Sequence, residues 1–450
     1  MTIDNNTVTS PSSFNELGLI SPLLARLTDL QYQQPTPIQA QTIPSILAGR
    51  DLIAGANTGS GKTATFALPL LQQLFNEKSS GKASSSSSNA SKKGNYVAGL
   101  VLVPTRELAT QVADSIRSYA AHLNGAVKTV AVFGGVSTNK QMLALRGGTD
   151  ILVATPGRLL DLISSNAIKL DHIKTLVLDE ADRMLSLGFT EEISALLAMM
   201  PKQKQTLLFS ATFPEQVKTL TTELLSDPVE VQVQSADAST LVQRVFTVNK
   251  GQKTVSLAHL IKENQWRQVL VFVNSKSGCA HLASKLAKHD ITAEVFHGDQ
   301  GQGARNRVLQ AFKDGEIEVL IATDIAARGL DIEKLPVVFN FDLPRSPADY
   351  MHRIGRSGRA GEIGLALSLI DYEDYHHFKI IEKKNKFRLE REEIAGFEID
   401  ESLIDPDFSV NKPVVPPAGS GKKKRAKKAS KNESTIYQDI WSGNLNSDSK

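Results

Sequence analysis

Short apolar runs alternate with longer amphipathic stretches along most of the chain. In the first part, the apolar runs cover residues 52–54, 96–103, 128–133, 151–154, 175–178, 205–209 and 229–233. Stretches with helical spacing lie between them, at 38–48, 106–123 and 190–200. Because strands that are apolar on both faces are typical of parallel sheets covered by helices, this pattern predicts a doubly wound α/β fold.

A second series of the same kind follows residues 234–240, a short polar segment that we interpret as a linker. Its predicted strands cover residues 269–273, 293–296, 318–322, 336–341 and 365–370, and its predicted helices cover 278–288 and 303–314. We therefore expect two α/β domains, at residues 14–233 and 241–385. A chain of 450 residues is long enough for both.

The remaining segments differ from these domains in composition. Residues 14–30 carry leucines at near-helical spacing, whereas residues 79–95 are rich in serine and have the composition of a flexible insertion. A helix is predicted over 380–393. Residues 386–450 are expected to form a basic C-terminal extension. Residues 1–13, and most of this extension from 405 onward, have the composition of disordered chain.

Charge is distributed unevenly along the chain. The net charge is +3, but residues 412–431 hold eight Lys or Arg and no acidic residue, which leaves about −5 for the rest. Any affinity of the folded part for nucleic acid must therefore come from local grooves. The sequence contains no apolar run of about 18 residues and no secretion signal at its start. The single cysteine, Cys279, cannot form an internal disulfide, which fits a reducing cytosol.

The first strong chemical signal is a glycine-rich stretch, 55–63, between a predicted strand and a predicted helix. Its glycines allow backbone N–H groups to approach a phosphate, and a helix N-terminus favours negative charge. Lys62 would reach the β- and γ-phosphates, and the Thr63 hydroxyl would bind Mg²⁺. The strict pattern has glycine where this chain has Ala56, so a chance glycine-rich helix cap is the alternative.

Carboxylates directly follow the apolar run 175–178. Asp179 is expected to hold Mg²⁺, partly through water, and Glu180 to orient the attacking water. An acidic helix N-terminus without catalysis would show the same residues. Together with the glycine-rich stretch, however, these carboxylates favour an ATPase site.

A third group contains three arginines. Arg353, Arg356 and Arg359 are spaced by three and are predicted to share one face of a helical turn. Guanidinium groups can stabilise a phosphoryl group during transfer. A solvated basic helix is the alternative, but the glycines at 355 and 358 disfavour it.

Taken together, these motifs resemble those of the DEAD-box RNA helicases of superfamily 2, over about residues 14–385, with bacterial RhlE-like members as the most similar subgroup. The resemblance implies two tandem RecA-like domains that bind ATP and Mg²⁺. The residues it implies for the nucleotide are Phe14, Tyr32, Thr36, Gln39, Thr58, Gly59, Ser60, Gly61, Lys62, Thr63 and Asp331. Catalysis would use Lys62, Asp179, Glu180, Arg356 and Arg359.

The resemblance also implies RNA contacts in both domains. The matching residues are Arg106, Gly135, Thr155 and Arg158 in the first domain and Gly298, Arg305 and Thr323 in the second. Residues expected to couple hydrolysis to unwinding are Asp182, Ser210, Thr212 and His352. Because such contacts address phosphate and 2′-OH groups, RNA would be bound without sequence reading.

The chain departs from the usual pattern at a few positions, with Gln31 in place of glycine, Asn57 in place of glutamine and Ser357 in place of threonine. The resemblance predicts local unwinding of short RNA duplexes, or remodelling of RNA–protein complexes, by a cytoplasmic monomer. Ribosomal precursors and the RNA-decay machinery are candidate partners. Two alternatives stay open: an ATP-gated RNA clamp without useful unwinding, and a DNA-directed motor of the same superfamily.

Overall fold

The computed structural model describes residues 11, 13–55, 60–79, 94–123, 127–233, 241–327, 335–358 and 363–399. Within these ranges the chain forms two compact units, one built from residues up to 233 and one from residue 241 onward. Each unit contains a seven-stranded, all-parallel sheet, so the predicted fold class is confirmed. The predicted linker, most of the predicted insertion and the chain from 405 onward lie outside the described residues.

The first unit has the strand order β3-β4-β2-β5-β6-β1-β7. Its strands are β1 (Leu52–Gly55), β2 (Val97–Leu102), β3 (Thr129–Val132), β4 (Thr149–Ala154), β5 (Thr175–Leu178), β6 (Gln205–Ser210) and β7 (Val229–Gln232). Its helices are α1 (Ser21–Asp29), α2 (Pro37–Leu47), α3 (Lys62–Ser79), α4 (Arg106–Tyr119), α5 (Thr138–Leu145), α6 (Pro156–Ser164), α7 (Ala181–Ser186), α8 (Thr190–Ala198) and α9 (Glu215–Leu224).

The apolar runs of this sheet are continuous because both faces are covered. In β2, Val101 packs into one buried cluster with residues of α3 and α4, whereas Leu100 and Leu102 pack into a second cluster on the other face. In β5, Val177 joins the first cluster and its neighbours join the second. Side chains two apart along a strand share a face, so a strand buried on both sides has no polar positions.

The second unit has the strand order β10-β11-β9-β12-β13-β8-β14. Its strands are β8 (Leu241–Thr247), β9 (Val269–Phe272), β10 (Ala293–Phe296), β11 (Val319–Ala322), β12 (Val337–Asn340), β13 (Gly364–Ile370) and β14 (Arg391–Glu392). Its helices are α10 (Lys253–Glu263), α11 (Lys276–Ala287), α12 (Gln302–Lys313), α13 (Asp324–Ala327), α14 (Pro347–Ile354) and α15 (Tyr372–Asn385).

The helix predicted over 380–393 was placed wrongly. The observed α15 begins at Tyr372, because the Asp371 and Asp374 side chains form a capping box at its N-terminus. It ends at Asn385, where Lys386 adopts the left-handed conformation that commonly terminates helices. The following residues turn back and pair β14 with β8 in parallel.

The amphipathic lead-in is a 3-10 turn, Phe14–Leu17, followed by α1. After α1, Gln31 has φ +60°, so the backbone keeps the left-handed turn although the usual glycine is absent. No helix in the described ranges is long and apolar enough to span a bilayer. In α11, Cys279 is buried, and burial raises the pKa of its thiol to about 11.

Candidate nucleotide and RNA sites

The order of the first sheet brings three predicted motifs to one edge. β5, β6 and β1 are neighbours, with Gly55 of β1 paired with Ser210 of β6. Because the strands are parallel, the glycine-rich stretch, the carboxylates after β5 and the residues after β6 all leave the sheet at its carboxyl end. Ligands of open α/β sheets bind at that edge.

The end of the glycine-rich stretch is fixed by two side chains from the start of α2. The Thr36 hydroxyl donates to the Ser60 carbonyl at 2.8 Å, and Gln39 Nε2 donates to the Gly61 carbonyl at 3.2 Å. Gln39 Oε1 accepts from the Thr36 backbone N–H at 2.9 Å. Two residues predicted to bind the nucleotide thus also hold the phosphate-facing turn in place. The predicted contacts at Thr58 and Gly59, and the position of Ala56, lie outside the described residues.

Two aromatic residues predicted for the nucleotide differ in accessibility. Tyr32 is 40% exposed, and its hydroxyl hydrogen bonds with that of Tyr119 at 3.2 Å. Phe14 is only 5% exposed and packs beside Tyr32, with ring centroids 6.4 Å apart. Tyr32 therefore has a ring surface available for stacking, and Phe14 supports it from the core.

Lys62 and Asp179 are both buried at this edge. Lys62 opens α3, with Thr63 half-buried beside it, and Asp179 directly follows β5. Burial raises the pKa of Asp179 to about 6; Lys62 opposes this rise, and the nearby Glu180 and Asp182 add to it. Among the groups that affect the Asp179 pKa, two are other carboxylates and one, Lys62, is an ammonium group.

The excess of carboxylates over cations around Asp179 suits a bound Mg²⁺ ion. A divalent cation would neutralise the buried Asp179 carboxylate, and carboxylate and hydroxyl oxygens are the ligands Mg²⁺ prefers. Asp179 and Thr63 supply such a donor set, with water completing it. The described residues contain no group of three or more His, Cys, Asp or Glu that could hold a metal alone. With Asp179 and Thr63 as its protein ligands, Mg²⁺ would also be held by nucleotide phosphates.

Glu180 has an unusual backbone conformation for a buried residue. It lies at φ 53°, ψ 51°, in the left-handed region, immediately before α7. Its N–H donates to Asp179 Oδ1 at 3.0 Å. This conformation is costly for a residue other than glycine, and such strain is found disproportionately at functional sites. The turn places two adjacent carboxylates at the same end of β5.

Asp182 joins the carboxylate motif to the end of β6. Its Oδ2 atom accepts from both the backbone N–H and the hydroxyl of Thr212, at 2.9 and 2.6 Å. Its own N–H donates to Ser210 Oγ at 3.3 Å, and that hydroxyl donates to the Thr212 carbonyl at 2.6 Å. The three residues predicted to couple hydrolysis to unwinding in this unit are therefore in direct contact.

The other half of the same edge carries the predicted RNA residues of the first unit. β2, β4 and β3 are neighbours, and Arg106, Thr155 and Gly135 follow them. Gly135 has φ +77°, and a Cβ there would lie 1.9 Å from Arg106 Nη1. Arg158 donates through Nη1 to the Val136 carbonyl at 3.0 Å, which ties α6 to the loop after β3. The sheet order therefore gathers all four residues.

The predicted RNA residues of the second unit follow β10 and β11, which are also neighbours. Gly298 is exposed, with open space where a Cβ would lie, and Thr323 is half-buried after β11. Arg305 is buried, donates to the His297 carbonyl at 3.0 Å and lies over the Phe296 ring. Arg305 thus shapes the loop that presents Gly298.

The arginine group does not form the shared helical face that its spacing predicted. α14 ends at Ile354, so Arg353 lies in the helix and Arg356 after it. The Arg353 side chain is 1% exposed and forms a bidentate ion pair with Asp324, at 2.6 and 2.7 Å. The prediction was wrong because Gly355 breaks the helix between the two arginines.

Arg353 therefore organises the carboxyl edge of the second unit. Besides Asp324 of α13 it donates to Asn274 Oδ1 at 3.0 Å, in the loop after β9, and to Asn340 Oδ1 at 3.2 Å, at the end of β12. Asp324 and Asn274 were not among the predicted site residues. Asp324 directly follows the predicted Thr323 after β11, and Asn274 follows β9, so their position after a strand was the available signal.

Arg356 is buried after α14, and His352 is half-buried within it. The predicted contacts of Arg359 with phosphate and of Asp331 with ribose lie outside the described residues. The second unit therefore shows one of the two predicted catalytic arginines.

Comparison with family models supports both units. Residues 36–220 match the DEAD/DEAH box helicase model, and residues 252–361 match the helicase conserved C-terminal domain. The chain is 39% identical over 390 residues to the ATP-dependent RNA helicase DeaD of Escherichia coli K12, covering 86% of this chain but only 59% of DeaD.

A second relative is more similar in length. The DEAD-box ATP-dependent RNA helicase CshA of Bacillus cereus is 38% identical over 394 residues, covering 87% of this chain and 71% of CshA. Among solved structures, Saccharomyces cerevisiae Dbp5 bound to RNA and ADP BeF3 matches with a TM-score of 0.73 and 28% identity. That match covers 85% of this chain and 96% of the Dbp5 chain.

Proposed function

The chain belongs to the DEAD-box helicase family, and on that premise we propose that it couples RNA-stimulated ATP hydrolysis to local unwinding of short RNA duplexes or to remodelling of RNA–protein complexes. The observation that carries the proposal is the meeting of three motifs at one sheet edge. Lys62, Asp179 and the Asp182–Thr212 contact lie at the ends of β1, β5 and β6.

The nucleotide end of the site follows from these positions. Tyr32 and Gln39 would hold adenine, while Ser60, Gly61 and Lys62 would hold the phosphates through backbone N–H groups and an ammonium. Thr63 and Asp179 would hold Mg²⁺, which when bound supplies charge stabilisation on the transferring phosphoryl group.

Glu180 is the proposed base that orients water, since it neighbours Asp179 in a turn that the fold keeps despite its strain. Arg356 and Arg359 would stabilise the phosphoryl group during transfer, and Asp331 would contact ribose. These roles rest on the family resemblance and on the residue types.

RNA binding is proposed for the other half of the first sheet edge and for the loops after β10 and β11. Arginine side chains and backbone N–H groups there suit phosphate contacts, which do not depend on base sequence. DeaD and CshA are both described as RNA helicases, and Dbp5 has been solved with RNA bound. We propose the same ligand here, with Asp182, Ser210, Thr212 and His352 relaying its binding to hydrolysis.

We also propose a compartment, an oligomeric state, partners and a subtype. The family resemblance and a single buried cysteine favour a cytoplasmic monomer. Ribosomal precursors and the RNA-decay machinery are proposed as partners, and an RhlE-like subtype is proposed from the sequence motifs.

The test replaces the proposed base while keeping its shape. Glu180→Gln should still bind ATP and RNA, because its neighbours are unchanged, but kcat for RNA-stimulated hydrolysis should fall by about a hundredfold or more. Glu191→Gln, the same change at an exposed position of α8, is the matched control and should hydrolyse ATP normally. Full activity in Glu180→Gln would refute the assignment.

Strand displacement separates helicase from clamp. The unmodified protein should release one strand of a short RNA duplex in the presence of ATP. Binding and ATP hydrolysis without release would favour the RNA-clamp alternative. Stimulation of hydrolysis by DNA in preference to RNA would favour the DNA-directed motor.

A further inference from the structure

Side chains bind the loop between β12 and α14, in addition to two backbone hydrogen bonds from the N–H groups of Phe341 and Asp342 to the Phe272 carbonyl. The Asp342 carbonyl accepts from Arg353, and the Leu343 carbonyl accepts from Asn274 Nδ2 at 2.8 Å. Asp342 Oδ2 also accepts from the Asn274 N–H at 2.9 Å. These donors belong to the motif residues that already meet at this edge.

Two further donors come from α15, outside the matched family model. The Pro344 carbonyl is 2.7 Å from His377 Nε2, and the Pro347 carbonyl accepts from Asn385 Nδ2 at 3.0 Å. Because the two prolines have no N–H of their own, their backbones can form hydrogen bonds only through their carbonyls. His377 and Asn385 are eight residues apart on the helix, a rise of about 12 Å.

α15 is itself firmly anchored, so it can serve as a reference for the loop. Its N-terminal cap residues Asp371 and Asp374 both pair with buried Lys253. Near its end, Glu382 forms an ion pair with Arg391 at 2.8 Å. Every anchor lies within the second unit.

The contacts between α15 and α14 continue into the core. Tyr350 of α14 is buried, with its ring 5.8 Å from Phe378 and 5.5 Å from Phe387 between centroids. Its hydroxyl donates to Gln243 of β8 at 3.1 Å. α14 is only two turns long, so a displacement at its first residue is carried to its last.

We propose that His377 and Asn385 are positioning residues for Arg356, which follows α14 by two positions. They hold the Pro344 and Pro347 carbonyls, just before and at the start of α14, and thereby set the orientation of the helix and the position of Arg356 after it. This inference rests on the proposed ATPase function, in which Arg356 contacts the phosphoryl group. Misplacing a catalytic group by a fraction of an ångström to an ångström is enough to reduce turnover strongly while leaving ground-state binding intact.

The experiment compares His377→Leu and Asn385→Leu, alone and combined, with His377→Gln in the full chain. Leucine fills the space without a donor, whereas glutamine offers an amide N–H near the position of Nε2. His376→Leu, at an exposed histidine of the same helix, is the matched control. Steady-state RNA-stimulated ATP hydrolysis is measured, together with the affinity for fluorescent ADP and the thermal unfolding midpoint.

In the double leucine variant, kcat should fall about tenfold with KM for ATP and affinity for ADP unchanged, because most residues proposed to hold the nucleotide are in the first unit and Asp331 is not altered. His377→Gln should recover most of the loss attributable to His377, and His376→Leu should match the unmodified protein. Unchanged kcat, or a loss that glutamine does not recover and that follows the unfolded fraction, would overturn the inference. Absence of ATPase activity in the unmodified protein would instead refute the proposed function and this inference with it.

Discussion

Gly61 lies at a position where the structure has no room for a side chain. Its φ is +90°, and a Cβ there would lie 2.5 Å from Gln39 Nε2, the atom that holds its carbonyl. Gly61→Ala should therefore displace the loop and weaken ATP binding by roughly tenfold or more. Titration with a fluorescent nucleotide measures the loss.

Gly49 provides the control for Gly61. It also has a positive φ, of +78°, but no atom lies within 4 Å of where its Cβ would be. Gly49→Ala should cost some stability through backbone strain and leave nucleotide affinity unchanged. Equal affinities in the two variants would mean that the Gln39 contact does not shape the phosphate loop.

At the scale of single residues, the sequence predicted which residues lie at the candidate site better than it predicted which atoms they contact. Residue types at strand ends indicated Lys62, Asp179 and Glu180, and the parallel sheet places them at one edge. The bond from Gln39 to the loop and the burial of Arg353 depend on atoms far away in sequence. From their spacing, Arg353 and Arg356 were predicted to have the same role. They differ because α14 ends between them, which leaves Arg353 paired with Asp324 inside the unit.

At the element scale, the end of α15 depends on one ion pair. Glu382 accepts from Arg391 at 2.9 and 2.8 Å and from the Leu389 N–H at 2.9 Å. Burial acts to raise the pKa of Glu382, but the hydrogen bonds from Arg391 and Leu389 outweigh it and hold that pKa below 4.5. The ionised carboxylate therefore stabilises the fold above about pH 4.5, and this contribution is lost as pH falls through the lowered pKa.

Glu382→Gln should lower the free energy of unfolding by about 1–3 kcal/mol at pH 7, because Arg391 would keep a partly buried charge without its partner. The difference from the unmodified protein should shrink as the pH falls below 4.5 and through the lowered pKa of Glu382. Urea unfolding at several pH values measures it. Glu373→Gln, which breaks an exposed pair with Lys250, is the control and should leave the free energy of unfolding almost unchanged at any pH. A difference that is constant with pH would contradict the ion-pair account.

Elements with continuous apolar runs were predictable, and those with mixed composition were not. β8 was absent from the predicted strands because Gln243 and Arg244 interrupt its apolar pattern. Both polar side chains form tertiary contacts within the second unit. Gln243 accepts a hydrogen bond from Tyr350, and Arg244 forms an ion pair with Glu392 of β14. The predicted position of α15 was too far along the chain, because its first turns are rich in Tyr, His and acidic residues. The capping box at Asp371 and Asp374 starts the helix despite that composition.

At the scale of the whole molecule, the basic segment 412–431 and the rest of the chain have net charges of opposite sign. Residues 412–431 carry eight cations, and the rest of the chain is about −5. If this segment tethers RNA by releasing counterions, deleting it should weaken RNA binding and flatten the dependence of log K on log salt by several units. Fluorescence anisotropy with single-stranded RNA at several salt concentrations measures both.

Deleting residues 432–450 instead gives a control of similar length. That segment carries Glu433, Asp439 and Asp448 and only one lysine, so its removal should not reduce the salt dependence. If deletion of 412–431 leaves the slope unchanged, the basic segment serves solubility rather than RNA binding.

The architecture of two parallel sheets was predictable because both series of buried strands recur at regular intervals. The strand order within each sheet was not, since it depends on which strands pair across the whole unit. The proposed boundaries at 14–233 and 241–385 stay predictions. Residues 386–399, placed beyond the second domain by composition, pack on it through β14 and buried Ile394.

The buried cysteine has a practical consequence for single-molecule work. Maleimide dyes react with exposed thiolates, and the Cys279 thiol is both enclosed and resistant to ionisation at neutral pH. The natural chain is therefore close to a cysteine-free background for labelling. Cysteines introduced at exposed Met199 and Val255, one in each unit, would carry a donor and an acceptor dye. Energy transfer between them would then report whether nucleotide or RNA changes the separation of the two units.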